Sequence, residues 1–190
     1  MAADGTRRRL TGVSGIHRRE VAMMARFVEI SLAKRGAVCV ARLLDAEAPA
    51  TCAAVWDALP VDGPAYHAKY ARNEIYALLP ALATSPPMEH PTVTPLPGDV
   101  CFFAFEGTEI GSPAYGYDAG SAAHGGPQVI DLALFYGRNN LLINGDRGFV
   151  PGSVFATVEQ GLPAMAEAAQ DMWLRGVEGE RLQFRRLDDR

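Results

Sequence analysis

Hydrophobic and polar residues alternate along several short segments of the chain, and this period of two is typical of half-buried β-strands. Residues 26–34 show the alternation first, and the turn Arg35-Gly36 separates them from residues 37–44, which we predict as the hairpin partner. Similar runs predict six further strands, at residues 65–70, 73–79, 100–105, 129–136, 152–157 and 180–187.

Two other segments repeat their apolar residues at helical spacing. The first begins at Pro49, which suits a first helical position, and is predicted to end at Pro60. The second, residues 162–175, is followed by Gly176, a residue typical of helix C-termini. Strands outnumber helices and long parallel crossovers are absent, so the pattern predicts a mostly antiparallel barrel or sandwich with helices at its ends.

A long segment without periodicity lies between two strongly apolar strands. Residues 107–127 hold six glycines and two prolines. Loops of this length in compact domains are commonly lids or binding loops. We therefore predict a lid over a pocket, formed by Tyr115, Tyr117, Asp118 and His124, with a solvated loop as the alternative.

Composition narrows the class of protein. The 190 residues suffice for one domain with a core, and the hydrophobic fraction of 48% and charged fraction of 21% exclude a wholly disordered chain. The net charge is -4 and the basic residues gather mainly near the two ends, so we expect no nucleic-acid partner. No apolar run approaches about 20 residues, which predicts no membrane span.

The first residues and the cysteines indicate the organisation and the compartment. We predict a flexible basic arm at residues 1–24, which lacks the apolar core of a secretory signal, and a barrel domain at residues 25–190.

Cys39, Cys52 and Cys101 have apolar neighbours and unrelated spacings. We expect buried free thiols in a reducing cytoplasm, and neither a disulfide framework nor a zinc site.

The passage from the second strand into the first helix resembles the cyclophilins. Residues 43–51, LLDAEAPAT, place an acidic residue at the strand end and Ala-Pro-x-Thr at the helix start, and Trp56 is the aromatic residue expected to pack the helix onto the barrel. The motifs PGDV at 97–100 and LFYG at 134–137 resemble bacterial cyclophilin-like proteins of uncharacterised function. The resemblance implies a mainly β protein, with a cyclophilin-like closed antiparallel eight-stranded β-barrel and two capping helices.

The same resemblance raises prolyl cis–trans isomerisation as an activity. In that family an arginine directly follows an aromatic–His pair and hydrogen-bonds the prolyl nitrogen, which weakens the amide resonance behind a barrier of ~18–20 kcal/mol. Here Ala68 follows Tyr66-His67, and the nearest arginine is Arg72. A divergent isomerase is therefore kept as an alternative function.

The densest group of polar and aromatic residues lies within residues 66–76. Arg72, Glu74 and Tyr76 share one face of the predicted strand, where the arginine fork can hold a carboxylate. The turn after the strand at 129–136 falls at a predicted barrel rim. The alternatives are an exposed face with a surface ion pair, and turn residues that satisfy their own backbone. The predicted ligand-binding residues are Tyr66, His67, Tyr70, Arg72, Glu74, Tyr76, Phe103, Tyr136, Arg138 and Asn140.

Motifs for metal, nucleotide or nucleophilic chemistry do not occur in the sequence. The internal histidines are widely spaced, and no P-loop, GxGxxG or GxSxG is present. We therefore predict no metal and no cofactor, and leave open whether the protein is an enzyme. The main hypothesis is a protein that binds a small polar molecule or short peptide at the barrel rim, as a metabolic enzyme or its accessory. The alternatives are the divergent isomerase and a non-catalytic interaction or assembly subunit, and a homo-oligomer is left open.

Overall fold

The eight longer strands and the two longer helices follow the order that the hydrophobic pattern predicts. The structure is a computed structural model that describes residues 25–187, so the predicted arm at residues 1–24 lies outside the described residues. The strands are β1 (Phe27–Leu32), β2 (Ala37–Leu43), β3 (Val61–His67), β4 (Glu74–Pro80), β5 (Pro91–Thr92), β6 (Asp99–Glu106), β7 (Gln128–Phe135), β8 (Ile143–Asn144), β9 (Gly148–Phe149), β10 (Gly152–Gln160) and β11 (Arg181–Leu187). The helices are α1 (Pro49–Ala58), α2 (Gly107–Ile110) and α3 (Leu162–Arg175).

Eight strands form a closed antiparallel barrel in the order β2-β1-β11-β3-β4-β7-β6-β10. Closure comes from β10, which pairs with β6 on one side and with β2 on the other. The short strand β5 adds to the edge of β10, and β8 and β9 form a separate two-stranded sheet. The prediction of a mainly β protein with a closed eight-stranded antiparallel barrel is confirmed.

One apolar core fills the barrel, because alternate residues of each strand point inward. Ile75 of β4 and Phe184 of β11 are buried there. The buried faces of α1 and α3 join the same core through residues such as Val55 and Met172, as expected for two helices that cap a barrel. No helix within residues 25–187 is long and apolar enough to cross a membrane.

All three cysteines are buried and free, which confirms the expectation of buried thiols. Burial raises the pKa of the Cys39 thiol to about 12. Because the thiolate is the reactive form of cysteine, this side chain stays in the less reactive thiol form at neutral pH.

Strand β10 is longer than the predicted strand at residues 152–157. It runs from Gly152 to Gln160 because three strands pair with it, namely β2, β5 and β6. Its register shifts twice, once against β6 and once against β2. Such irregularities bend a strand, which allows β10 to follow the curvature of the closed barrel.

The predicted lid at residues 107–127 contains more regular structure than its composition predicts. It includes α2 and two single-turn 3-10 helices, Pro113–Tyr115 and Ala122–His124. A capping box starts α2, and the side chains of Ser112 and Ser121 accept hydrogen bonds from the first turns of the two 3-10 helices. Local capping thus orders a segment that has no hydrophobic periodicity.

The start of α1 is capped by a residue from the crossing segment before β5. The carboxylate of Glu89 accepts hydrogen bonds from the backbone N–H groups of Ala50 (3.2 Å) and Thr51 (2.8 Å), whereas the helix's own N-cap residue provides no side-chain bond. We expect Glu89→Ala to lower the free energy of unfolding by about 1 kcal/mol, measured by urea denaturation. Glu47→Ala, at an exposed position just before α1, is the control, and equal stability of the two variants would contradict the capping role.

Candidate functional site

A pocket lies on the outer face of the barrel, over strands β4, β6 and β7. Side chains alternate along β4, so Ile75, Ala77 and Leu79 enter the core whereas Glu74 and Tyr76 line the pocket. The predicted division of these five residues between two faces of the strand is confirmed.

Strand register brings a second carboxyl group into this pocket. Asp131 of β7 lies opposite Leu78 of β4 and opposite Phe103 of β6. The cavity encloses about 140 Å³, close to the volume that a single aromatic ring occupies in a protein interior. We call it the Asp131 pocket. Its apolar walls are formed by Leu78, Phe103, Phe105, Ile110, Leu142 and Val150.

Two carboxyl groups are buried in the Asp131 pocket. Glu74 is 6% exposed and Asp131 is 8% exposed. The Oδ1 atom of Asp131 has no hydrogen-bond partner among residues 25–187. A buried polar atom without a partner costs about 1–3 kcal/mol, and more when it is charged. A proton on the carboxyl group, or a donor from a ligand, would remove this cost.

Burial raises the pKa of Glu74 and of Asp131 above the usual carboxyl range. The negative charge of Glu74 raises the pKa of Asp131 further, because two buried carboxylates that line one pocket repel each other. The pair therefore retains a proton at pH values where solvated carboxyl groups are fully ionised. Across residues 25–187, no group of three or more His, Cys, Asp or Glu side chains is placed to hold a metal ion.

Two phenol groups meet beside the carboxyl groups. The hydroxyl oxygens of Tyr76 and Tyr117 lie 2.8 Å apart. One hydroxyl donates to the other, which leaves one O–H of the pair free to donate elsewhere. Burial raises the pKa of both phenols, so both remain protonated at neutral pH.

The segment predicted as a lid packs over the Asp131 pocket. The Tyr66 ring meets the Tyr117 ring edge-on at a centroid distance of 5.1 Å, and the Tyr66 hydroxyl donates to Ser121 Oγ at 3.3 Å. These contacts fix the segment to β3. The four predicted lid residues divide between pocket and solvent, with Tyr115 and Tyr117 lining the pocket and Asp118 and His124 exposed.

Two cations stand at the edge of the Asp131 pocket. Arg147 pairs with Glu109 at 2.8 Å, and its guanidinium lies over the Phe105 ring at 5.7 Å from the ring centroid. Lys69 Nζ donates to the backbone carbonyl of Tyr115 at 3.2 Å. Both cations therefore connect the lid to neighbouring loops, while the buried part of the pocket is acidic.

Several predicted ligand-binding residues line a second cleft, between the loop after β3 and helix α3. This second cleft encloses about 520 Å³. His67 Nε2 lies 2.6 Å from Tyr136 Oη, and His67 Nδ1 lies 3.0 Å from the carbonyl oxygen of Ala68, so Nδ1 donates and Nε2 accepts. Burial lowers the pKa of His67, which keeps the imidazole neutral. The predicted residues in this cleft are His67, Tyr70, Arg72 and Tyr136.

The alternation predicted that Arg72 shares a strand face with Glu74, but in the structure it does not. Strand β4 begins at Glu74, so Arg72 precedes the strand. Its φ angle is 76°, in the left-handed region, and this conformation interrupts the alternation of side chains. The side chain consequently lines the second cleft, and the predicted pairing of this arginine with Glu74 in one site is wrong.

The ten predicted ligand-binding residues do not converge on one opening at the barrel rim. Tyr70, Glu74, Tyr76 and Phe103 line the Asp131 pocket, and Tyr70 lines the second cleft as well. Tyr66 packs under the lid, and Arg138 is exposed and lines neither cavity. The two cavities lie on either side of the loop at residues 68–73, which contributes to both.

Asn140 holds the turn after β7 together. Its side-chain amide donates to the carbonyl oxygens of Pro95 at 2.9 Å and Gly137 at 2.8 Å, and its Oδ1 accepts from the Asn73 backbone N–H at 3.1 Å. The side chain is buried, and its amide hydrogens and its oxygen all form hydrogen bonds with these backbone groups. The structure thus favours the alternative interpretation of this residue, in which turn side chains satisfy the local backbone.

Gly137 permits a close approach within the same turn. A Cβ atom at this position would lie 2.7 Å from Asn73 Cγ. We expect Gly137→Ala to displace Asn73 and to lower the free energy of unfolding by about 1–3 kcal/mol, measured by urea denaturation. Gly145→Ala is the matched control, since no atom lies within 4 Å of a Cβ there. If both variants are as stable as the wild type, the turn tolerates the added methyl group.

Asp131 is the functional candidate that sequence reasoning missed. Its position in the sequence did indicate a candidate site, because Asp131 is the one charged residue in the buried strand QVIDLALF. A carboxyl group in such a strand is rarely placed there for packing and marks a candidate site. Arg147 and Lys69 gave no such signal, because charged residues in loops are usually solvated.

A comparison with solved structures finds the same fold in a larger protein. The structure of McbB in complex with tryptophan matches with a TM-score of 0.57 and 18% sequence identity. The match covers 86% of this chain and 45% of McbB, so this chain spans less than half the length of that protein. At this level of identity the likeness extends to the fold alone.

The sequence comparisons assign a family. A search of curated proteins finds no match. The family profile described as "Protein of unknown function (DUF3830)" matches residues 30–184, from β1 into β11. This range contains every residue of the Asp131 pocket. The chain therefore belongs to DUF3830, a family of proteins of unknown function.

Proposed function

We propose that this protein binds a small molecule in the Asp131 pocket and holds it through a hydrogen-bond donor directed at the carboxyl pair. The observation that carries the proposal is the buried Oδ1 of Asp131, which has no partner among residues 25–187. A ligand N–H or O–H group at this carboxyl would replace the hydration lost on burial. An ammonium or amidinium group would also compensate the negative charge.

The walls of the pocket indicate the size and shape of the ligand body. The rings of Phe103 and Phe105 lie nearly parallel, with their centroids 5.9 Å apart and an interplanar angle of 7°. The cavity of about 140 Å³ accommodates one ring beside them. A ring that carries an amine can therefore pack its apolar part on these walls and place its nitrogen at the carboxyl groups.

The charge distribution favours a cationic ligand over a neutral one. Once a proton leaves, the carboxyl pair carries a negative charge in surroundings of low polarity, where charge-assisted hydrogen bonds are strongest. Lys69 and Arg147 already bind other groups at the pocket edge, so they leave this charge uncompensated. A hydrogen bond to a charged group contributes about 1.5–3 kcal/mol, which sets the expected preference for an amine over its neutral isostere.

The fold is consistent with a cyclophilin-like barrel, which we propose as the finer description. The hairpin that leads into α1, the closed eight-stranded barrel and the two helices on one core are the features that the resemblance implies. The arginine nearest to the aromatic–His pair, Arg72, lines the second cleft and not the Asp131 pocket. We therefore rank prolyl isomerisation second, after small-molecule binding, among the proposed functions. A protease-coupled assay with a proline peptide that gives a rate above background would reverse this order.

The proposal is tested by titrating ¹⁵N-labelled protein with benzylamine and following the amide resonances by NMR. We expect chemical-shift changes in β4, β6 and β7, and weaker binding of benzyl alcohol, the neutral isostere. We expect Asp131→Asn to lose about tenfold or more in affinity for benzylamine. Tryptophan and tryptamine belong in the same panel, because McbB was solved in complex with tryptophan.

The matched control is Arg72→Ala, which changes the second cleft only. We expect this variant to bind benzylamine as the wild type does. Shift changes confined to the second cleft, and abolished by Arg72→Ala, would assign the ligand to that cleft and contradict the proposal. A complete absence of shift changes with every amine of the panel would contradict it as well.

Assembly and location remain predictions. A homo-oligomer or an interaction subunit is tested by light scattering and by co-purification from the native host, and a lone monomer would count against both. A cytoplasmic location is tested by cell fractionation.

A further inference from the structure

We propose that Asp131 is a general base that removes a proton from a substrate held in the Asp131 pocket, and that Glu74 is a positioning residue that acts on Asp131 through its charge. This inference rests on the proposed binding function and adds a reaction class to it. The substrate class is a C–H or N–H acid about the size of one ring, with an electron-accepting group beside the acidic atom.

The arrangement of the strands provides the first argument. Asp131 and Glu74 lie on neighbouring antiparallel strands of the barrel and both line the same pocket. Asp131 is opposite Leu78, and Glu74 is opposite Phe135, so the two carboxyl groups are on one face of the sheet. A base carried by a central strand is held more rigidly than one carried by a loop, and general base catalysis depends on such positioning.

The lack of a partner for Asp131 Oδ1 provides the second argument. Glu180, another buried carboxylate, accepts hydrogen bonds from the backbone N–H groups of Lys34, Arg35 and Arg181, as a structural carboxylate does. Asp131 Oδ1 has no comparable bond within residues 25–187. A general base needs a lone pair that no donor occupies, and Asp131 meets this requirement.

The surroundings of the pair provide the third argument. Leu78, Phe103 and Phe105 line the pocket in which both carboxyl groups are buried, and a poorly hydrated carboxylate is a stronger base than a solvated one. The negative charge of Glu74 acts in the same direction, because it raises the pKa of Asp131 further. Asp131 is therefore a strong base once it has lost its proton.

The step balances without a cofactor. An oxygen of Asp131 forms a bond to the substrate proton, the C–H or N–H bond breaks, and its electron pair moves into the adjacent electron-accepting group. The free O–H of the Tyr76–Tyr117 pair is available to donate to the negative charge that develops there. The proton then passes from Asp131 to water or returns to the product.

The test uses 5-nitrobenzisoxazole, a flat molecule of two fused rings whose ring opening requires only a base. Its isoxazole ring, which carries the reacting proton, is the part that would enter the pocket. The carboxylate takes the proton on C3, the N–O bond breaks, and the electrons end on the phenolate oxygen of a coloured product. We expect the wild type to accelerate this reaction above the rate in an equal concentration of acetate. We expect Asp131→Asn to lose about a hundredfold or more of that acceleration. An unchanged rate in Asp131→Asn would overturn the inference.

Glu74→Gln separates a positioning role from a structural one. Removal of the neighbouring charge lowers the pKa of Asp131, so the midpoint of the pH–rate profile should move to lower pH. Asp57→Asn, at an exposed site on α1, should leave the profile unchanged. An unmoved midpoint in Glu74→Gln would overturn the role assigned to that residue.

Benzylamine binding reports on the pocket independently of catalysis. If the wild type binds benzylamine in the Asp131 pocket but does not accelerate ring opening, the general base is excluded and the proposed binding function stands. If the wild type binds no amine of the panel and does not accelerate ring opening, both are contradicted.

Discussion

Replacing Glu74 by glutamine should make the folded protein more stable than the wild type at alkaline pH. Burial raises the pKa of Glu74 and of Asp131, and the Glu74 charge raises that of Asp131 further. In the unfolded chain both groups ionise near about pH 4. Between that pH and the raised pKa values, the folded chain keeps protons that the unfolded chain has released. The free energy of unfolding therefore falls as the pH rises through this range.

The expected slope approaches about 1.4 kcal/mol per pH unit for each retained proton. Urea denaturation from about pH 5 to about pH 9 should show the decline in the wild type and a flatter profile in Glu74→Gln, with a difference of about 2 kcal/mol or more at the upper end. Asp57→Asn, which removes an exposed carboxyl group, should follow the wild type. Superimposable profiles for the wild type and Glu74→Gln would show that the carboxyl pair carries no burial penalty.

Truncation of Phe184 to alanine should lower the free energy of unfolding by about 3–5 kcal/mol. Phe184 is 1% exposed and belongs to the core that fills the barrel. Its strand, β11, lies between β1 and β3 and is needed to complete the circle of strands. A cavity at this position therefore weakens the packing between the first and the last parts of the described chain.

The loss is measured as the shift of the urea midpoint at constant slope. Leu174→Ala on α3, where the side chain is 71% exposed, is the control and should change the free energy by less than about 0.5 kcal/mol. Small and equal effects in the two variants would mean that β11 adds little to the barrel core.

Local sequence patterns were sufficient to predict most of the individual strands and helices. Alternation identified β4 and both of its faces, and the spacing of apolar residues with Pro49 and Gly176 identified α1 and α3. Closure of the barrel did not follow from periodicity. It depends on the pairing of β10 with β2, two strands far apart in the sequence, and only the family resemblance implied it.

The candidate site could be predicted only in part, because it depends on register between distant strands. Glu74 was identified from its own segment, but its partner Asp131 becomes visible only when β7 is placed beside β4. Arg72 was assigned to the same site because strict alternation was assumed up to that residue. A left-handed backbone conformation before the strand is not encoded by any residue type there, and it sends the side chain to the second cleft.

The structure of the lid could also be predicted only in part from the sequence. Its glycines and prolines identified a long loop, and two of the four predicted lid residues, Tyr115 and Tyr117, line the Asp131 pocket. One of the contacts that hold the lid, between the hydroxyl groups of Tyr76 and Tyr117, joins two segments without any shared sequence pattern.

The most direct test follows the side-chain carboxyl ¹³C resonances of Glu74 and Asp131 through a pH titration, without and with benzylamine. In the free protein we expect both groups to titrate well above the ordinary carboxyl range. With benzylamine bound we expect ionisation to shift to lower pH, because an adjacent ammonium group stabilises the carboxylate. Ordinary titration of both groups near about pH 4, unchanged by the ligand, would contradict a buried carboxyl pair that binds a cationic donor.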